Sequence, residues 1–159
     1  MVWGPMHAVC KSRAGSKCEE TDMPHMEQQI VDWPALGQTR AQLGGSFIRI
    51  LGYFREDGIC SIEKIEAAMR NGDASAMVMP SHKLKSEARQ FGGERLGQLA
   101  EDIEMHARQC VETRETPDDY VDRVVQLRPL FTEMMAASDA ETSPLIQRQK
   151  GFGTARRFG

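Results

Sequence analysis

Apolar residues recur every three or four positions from about residue 34 to about residue 137, and strand-like alternation is almost absent. This spacing places one apolar stripe on each of several amphipathic helices. Glycine, proline and Asn-Gly breaks divide the stretch into five predicted helices joined by short loops. Because short loops make consecutive helices antiparallel neighbours, the sequence predicts an all-α, up-down antiparallel four-helix bundle with one additional helix.

The first three predicted helices are bounded by recognisable breaks. The first follows Pro34 and carries its apolar stripe to Phe54, after which Asp57-Gly58 interrupts the periodicity. We therefore expect a separate, shorter second helix, which Asn71-Gly72 ends in the left-handed conformation that suits these residues. Asp73 follows directly and is placed to cap the third helix, because its carboxylate can accept from freed backbone N–H groups.

The remaining two predicted helices begin after clear signals. Gly92-Gly93 separates the third helix from the fourth. Thr116-Pro117-Asp118-Asp119 combines a capping threonine, a proline suited to the first turn and two acids near the positive end of the helix dipole. It predicts the start of the fifth helix, which Pro129 should bend because proline cannot donate to the helical ladder. The sequence thus predicts one bundle over residues 27–138.

Composition excludes several classes of protein. The net charge of −3 and a pI near 5.8 argue against general nucleic-acid binding, which needs a basic surface. No apolar run approaches the roughly 20 residues of a membrane span, and residues 1–26 lack the apolar segment of a secretory signal. The four cysteines form no CxxC pair, so we expect reduced thiols in a cytoplasmic protein. A monomer is the default expectation.

The two ends of the chain are expected to be tails. Residues 1–26 are polar and predicted to be disordered, and residues 139–159 are predicted to form a flexible, basic C-terminal tail. Four side chains of the first tail offer an alternative zinc site, although their spacing fits no structural zinc pattern: His7, Cys10, Cys18 and His25. We therefore expect no metal ion and no cofactor on this chain.

His82 lies on the third predicted helix, and its position on the helical wheel distinguishes it. Met77, Leu84, Ala88 and Phe91 fall within one sector and form the predicted core face. His82 falls on the opposite, outer face. An exposed neutral imidazole is a competent nucleophile towards phosphorus, because it keeps a free lone pair near neutral pH.

The neighbours of His82 on the outer face suit a charged transfer site. Lys85, Arg89 and Lys83 could partly neutralise the negative charge of a phosphorylated imidazole. Val78 and Met79 could supply apolar contact area for a partner. The predicted docking surface therefore comprises the side chains around His82: Val78, Met79, Lys83, Ser86 and Arg89.

The stretch from His82 to Leu96, HKLKSEARQFGGERL, resembles the signature of the histidine-containing phosphotransfer (HPt) domains of bacterial two-component phosphorelays. The family pattern is roughly His-x-Leu-Lys-Gly-[Ser/Ala]-Ala, followed by a helix end at glycine and a Leu that opens the next helix. The resemblance implies that His82 accepts and donates the phosphoryl group, that Lys85 steadies it, and that Leu84 and Ala88 are core positions.

The same resemblance implies the partners. They are receiver domains of response regulators and hybrid sensor histidine kinases, and the Mg²⁺ that assists transfer is expected on the receiver. The chain has no glycine-rich ATP loop followed by Lys-[Ser/Thr], so we expect no ATP-dependent kinase activity. The implied function is that of a phosphocarrier between receiver aspartates, not of an enzyme.

Ser86 departs from the family pattern, which usually has glycine four residues after the histidine. Its side chain stands beside the imidazole, where a partner must come close. Glu87 also replaces a smaller residue. Ser86 favours the main alternative, a helical adaptor that binds receivers or kinases and regulates signalling by occupancy without transferring phosphate.

Replacement of Ser86 by glycine tests that departure. If the serine crowds a docked partner, Ser86→Gly should increase the rate of phosphoryl transfer in a rapid-quench assay. Transfer that is unchanged or slower would show that the family's glycine is not needed here.

Overall fold

The structure, a computed structural model, describes residues 29–142. Within this range the chain forms six α-helices and two 3₁₀ turns, and no strand. The helices are α1 (Trp33–Leu43), α2 (Phe47–Arg70), α3 (Ala74–Gln90), α4 (Glu94–Thr113), α5 (Val121–Val125) and α6 (Leu127–Thr142). The 3₁₀ turns are Gly44–Ser46, before α2, and Asp118–Tyr120, before α5.

The two predicted tails lie mostly outside the described residues. This holds for all of the predicted N-terminal tail 1–26, and so for the alternative zinc ligands His7, Cys10, Cys18 and His25. It also holds for residues 143–159. The C-terminal tail was expected to begin at 139, but helix α6 continues through residues 139–142.

Helices α2, α3 and α4 and the α5–α6 segment pack as an antiparallel bundle, and α1 lies against α2 and α3. The predicted all-α four-helix bundle with an additional helix is confirmed. Two hydrogen bonds attach the α1 region to the turn between α3 and α4. The Asp32 N–H donates to the Gly92 carbonyl at 2.7 Å, and the Thr39 hydroxyl donates to the Gln90 carbonyl at 2.7 Å.

The prediction of a helix break at Asp57-Gly58 is wrong. Helix α2 runs unbroken through both residues, and the break falls earlier, at Gly44, whose φ of 52° ends α1. A single glycine inside a helix costs only about 1 kcal/mol, which burial of a long apolar face outweighs. Gly58 is buried because the Phe131 ring of α6 lies directly against its Cα.

The predicted signals around α3 are confirmed. The Asp73 carboxylate caps the helix by accepting from the Ala76 N–H at 3.0 Å. Gly72 and Gly92, which end α2 and α3, have φ of 64° and 74°. At Gly92 a side chain would also collide with the backbone, since a Cβ would lie 2.5 Å from the Asp32 carbonyl oxygen. The close approach of α1 therefore requires glycine there.

The fifth predicted helix is divided in two. The signal at 116–119 starts a 3₁₀ turn, in which the Thr116 hydroxyl donates to Asp118 at 2.7 Å, and α-helix begins only at Val121. Helix α5 ends at Val125 and α6 begins at Leu127, two residues before Pro129. Because Pro129 has no N–H to donate, it cannot bond to the Val125 carbonyl, and the expected bend takes the form of this interruption.

Four phenylalanine side chains join the helices at the centre of the core. The ring centroids of Phe54 and Phe91 are 4.9 Å apart in a stacked arrangement, and Phe54 meets Phe131 edge-on at 5.5 Å. Phe47 contacts Phe91 at 6.2 Å. These contacts connect α2, α6 and the end of α3, so the core sets the position of α3 within the bundle.

Two glycines of α2 form a matched pair for testing the packing at Phe131. Gly58→Ala should destabilise the protein by about 1–3 kcal/mol, because the added methyl group overlaps the Phe131 ring. Gly52→Ala should instead stabilise it by up to about 1 kcal/mol, since nothing lies within 4 Å of a Cβ there. Chemical denaturation of both variants measures the difference, and equal effects would contradict the assigned contact.

Candidate functional site

Helix α3 presents His82 on the face opposite its buried stripe. Met77, Leu84 and Ala88 are fully buried, whereas the His82 side chain is 50% exposed. The core face and the outer position of His82 that the helical wheel predicts are both confirmed. The helix passes through Pro80 without ending, so His82 lies in regular α-helix two residues later.

The His82 ring is held by a carboxylate of the neighbouring helix α4. Its Nδ1 lies 3.1 Å from Oε1 and 3.2 Å from Oε2 of Glu104, whose side chain is only 5% exposed. The same carboxylate accepts from Lys85 Nζ at 2.7 Å through Oε2. It also accepts from Arg108 through Oε1, at 2.8 Å from Nη2 and 3.1 Å from Nε. Three basic side chains therefore converge on one buried acid.

The charge of Glu104 decides which nitrogen of His82 carries the hydrogen. Burial raises the pKa of Glu104, but hydrogen bonds from Lys85, Arg108 and His82 outweigh it and lower the pKa to about 2. At neutral pH Glu104 is thus an ionised carboxylate, which can only accept hydrogen bonds. His82 Nδ1 must then carry the hydrogen, and in the neutral ring Nε2 keeps the lone pair.

This arrangement suits nucleophilic attack by Nε2. When the Nε2 lone pair forms a bond to phosphorus, positive charge develops on the ring. Glu104 lies at Nδ1, where it can stabilise that charge at short range and in a water-poor setting. The carboxylate also fixes the ring orientation, so the half-exposed edge of the ring faces solvent.

The structure places the other predicted cations differently from the expectation. Lys85 was expected on the outer face, but its side chain is only 17% exposed because it lies over Glu104. Lys83 turns towards α2 and pairs with Asp57 at 3.0 Å. Arg89 pairs with Glu101 at 2.8 Å, so its guanidinium is held by an acid of α4.

The apolar and hydroxyl members of the predicted docking surface also differ in exposure. Met79 is 70% exposed, as expected, whereas Val78 is half-buried and packs against the core. Val78 therefore contributes only part of its side chain to the surface, because the rest packs against the core. The Ser86 hydroxyl is exposed and donates to the His82 carbonyl oxygen at 3.0 Å. Ser86 thus lies one helical turn after His82 on the same outer face of α3.

The sequence analysis missed Glu104, Arg108 and Glu101, all on α4. One signal was available for Glu104. It lies four residues after Ala100 and directly after Ile103, both fully buried, so a carboxylate stands on the apolar stripe of α4. A helical wheel shows that such a carboxylate needs partners but cannot show which side chains of the next helix supply them.

Two further properties concern the part of the chain that the structure describes. Across residues 29–142 no helix has both the length and the apolar character needed to cross a membrane. The same residues contain no group of three or more His, Cys, Asp or Glu side chains arranged to hold a metal ion.

Comparison with known proteins identifies the family. The family model described as Hpt domain matches residues 49–141, which is more than half of the sequence. This chain belongs to the Hpt domain family. No curated protein matches the sequence.

Two solved structures share the fold. The crystal structure of histidine-containing phosphotransfer protein B (HptB) from Pseudomonas aeruginosa PAO1 is similar with a TM-score of 0.62 and 18% identity, over 72% of this chain and 95% of that chain. The HPT domain from the Hpt sensor hybrid histidine kinase from Shewanella is similar with a TM-score of 0.57 and 17% identity, over 72% of this chain and 97% of that chain. At these identities the likeness establishes the helical-bundle fold.

The low pKa of Glu104 predicts a specific pH dependence of stability. Because the folded-state pKa lies below its ordinary value of 4.5, ionised Glu104 stabilises the fold above pH 4.5, and this contribution is lost as the pH falls towards 2. Glu104→Gln should therefore be less stable than the wild type at pH 7, by on the order of 3 kcal/mol, and the difference should shrink markedly by pH 3.

Urea denaturation between pH 7 and pH 3 measures this difference. Glu112→Gln, at an exposed position of the same helix, is the control and should match the wild type throughout. A wild-type advantage over Glu104→Gln that stays constant across this pH range would contradict the assigned ion cluster.

Proposed function

We propose that this protein relays a phosphoryl group between receiver-domain aspartates through a phosphohistidine formed at Nε2 of His82. The observation that carries the proposal is the half-exposed His82 ring whose Nδ1 is bound by the ionised carboxylate of Glu104. Membership of the Hpt domain family supports the same reading.

In the proposed reaction, the Nε2 lone pair attacks the phosphorus of an aspartyl phosphate in line. The N–P bond forms while the P–O bond to the aspartate breaks, and the aspartate leaves as a carboxylate. The reverse step passes the phosphoryl group to a second receiver. Lys85, whose Nζ lies 2.7 Å from the Glu104 carboxylate that binds His82, would partly neutralise the added charge.

The chain's own contribution is orientation and charge. The receiver would supply the Mg²⁺ and its acidic pocket, and this chain would bind no cofactor of its own. In this proposal the partners are receiver domains of response regulators and of hybrid sensor histidine kinases. The protein acts in the cytoplasm as a monomeric carrier without ATP-dependent kinase activity.

One observation favours the alternative of a non-transferring adaptor. The exposed Ser86 side chain lies one helical turn after His82 on the same face of α3, and its hydroxyl donates to the His82 carbonyl oxygen. An added side chain at this point could let a receiver bind without bringing its phosphoryl group within bonding distance of Nε2.

Phosphate transfer onto the intact chain tests the proposal. After incubation with a panel of phosphorylated receiver domains, the wild type should acquire acid-labile, base-stable phosphate, and His82→Gln should acquire none. His106→Gln is the matched control and should retain the label, because the His106 ring is stacked on Tyr120 at 3.9 Å, away from the His82–Glu104 pair. Label that survives His82→Gln would refute the site, and binding without label would favour the adaptor.

A further inference from the structure

A shallow cleft lies between α3 and α4, on one side of the His82–Glu104 pair. Its volume is about 220 Å³, and it is lined by Ser75, Val78, Arg108, Val111 and Glu112. Val111 is 48% exposed although it is a large apolar side chain. The cleft therefore combines an apolar surface with a charged rim.

The helical repeat aligns this cleft with the phosphotransfer site. Val78 precedes His82 by four residues on α3, and Val111 follows Glu104 by seven residues on α4. Spacings of four and seven residues return to nearly the same face of a helix. At about 1.5 Å per residue, Val111 lies roughly 10 Å along α4 from Glu104, on the same side of the bundle.

On the side of His82 away from Val111, side chains fill the groove between α3 and α4. Arg89 lies over Gly97, where a Cβ would come within 2.7 Å of Arg89 Cγ. Its guanidinium is bound by Glu101 at 2.8 Å and by Glu94 at 3.3 Å. Lys85 adds a contact to Glu101 at 3.7 Å. The groove is thus closed by paired charges in this direction and open towards Val111.

We propose that a receiver domain docked at His82 extends over the open cleft, so that Val111 and Arg108 determine which receivers are accepted. This inference rests on the proposed function. An aspartyl phosphate must come into contact with His82, and a standard interface covers about 800 Å² on each partner, a patch roughly 30 Å across. A receiver centred on His82 therefore covers Val111 as well.

The chemistry of the cleft indicates what the receiver brings. An apolar side chain of the receiver would fill the space against Val78 and Val111, in the manner of a buried interface contact. Arg108 uses Nε and Nη2 for Glu104, and its side chain is more than half exposed, so further N–H groups remain for a second acceptor. The acidic pocket around a receiver's aspartate supplies such acceptors, which makes the charges of the two surfaces complementary.

Three variants at exposed valines test this docking direction. Val111→Glu places a charge in the cleft, and Val111→Leu keeps the position apolar. Val125→Glu places the same charge on α5, at a valine that is 66% exposed. Each chain is labelled by the receiver domain that labels the wild type best, and separately by phosphoramidate. In the second reaction Nε2 of His82 bonds to phosphorus while the P–N bond of phosphoramidate breaks and ammonia leaves, and no docking is needed.

For Val111→Glu we expect a rise of about ten-fold or more in KM for the receiver, and a matching fall in the ratio of receiver-dependent to phosphoramidate-dependent rates. Val111→Leu and Val125→Glu should keep the wild-type ratio. A wild-type ratio in Val111→Glu would refute the docking direction while leaving the proposed function intact. If the wild type is labelled by no receiver, the proposed function fails, and this inference fails with it.

Discussion

The candidate site around His82 depends on a single buried carboxylate, that of Glu104. Removing an acid from water is costly, and here the cost is offset by basic groups of two helices. Lys85 and His82 come from α3, and Arg108 comes from the acid's own helix. The cluster thus joins α3 to α4 at the level of the His82 imidazole, and it sets the ionisation of Glu104 and the hydrogen position on His82.

That cluster forms only because α3 and α4 keep their relative position along the bundle. The turn at Gly92 fixes where α4 begins. The Asp32 N–H stabilises this turn by donating to the Gly92 carbonyl. Phe91, at the end of α3, is held in the aromatic core by Phe54. Arg89 and Glu101 lie one to two helical turns from the His82–Glu104 pair, and their ion pair holds α3 and α4 in the same relative position. A shift of one residue would rotate Glu104 away from His82 by about 100°.

Much of the fold follows from local sequence. The apolar stripes of α3 and α4, the Asp73 cap and the glycine at 92 each reflect short-range rules of helix periodicity and termination. The expectation at Gly58 failed because the same residue type has two uses. A glycine can end a helix, or it can let another helix come close, and only the position of Phe131 on α6 distinguishes the two.

The exposure of His82 and the buried face opposite it were determined by the sequence alone, because both depend on one helix and its periodicity. The partner of that imidazole was decided by the tertiary structure. Glu104 lies 22 residues from His82, and the sequence shows only that an acid stands on the apolar stripe of α4. Which side chains meet it depends on the register of α3 against α4, which is a property of packing between helices.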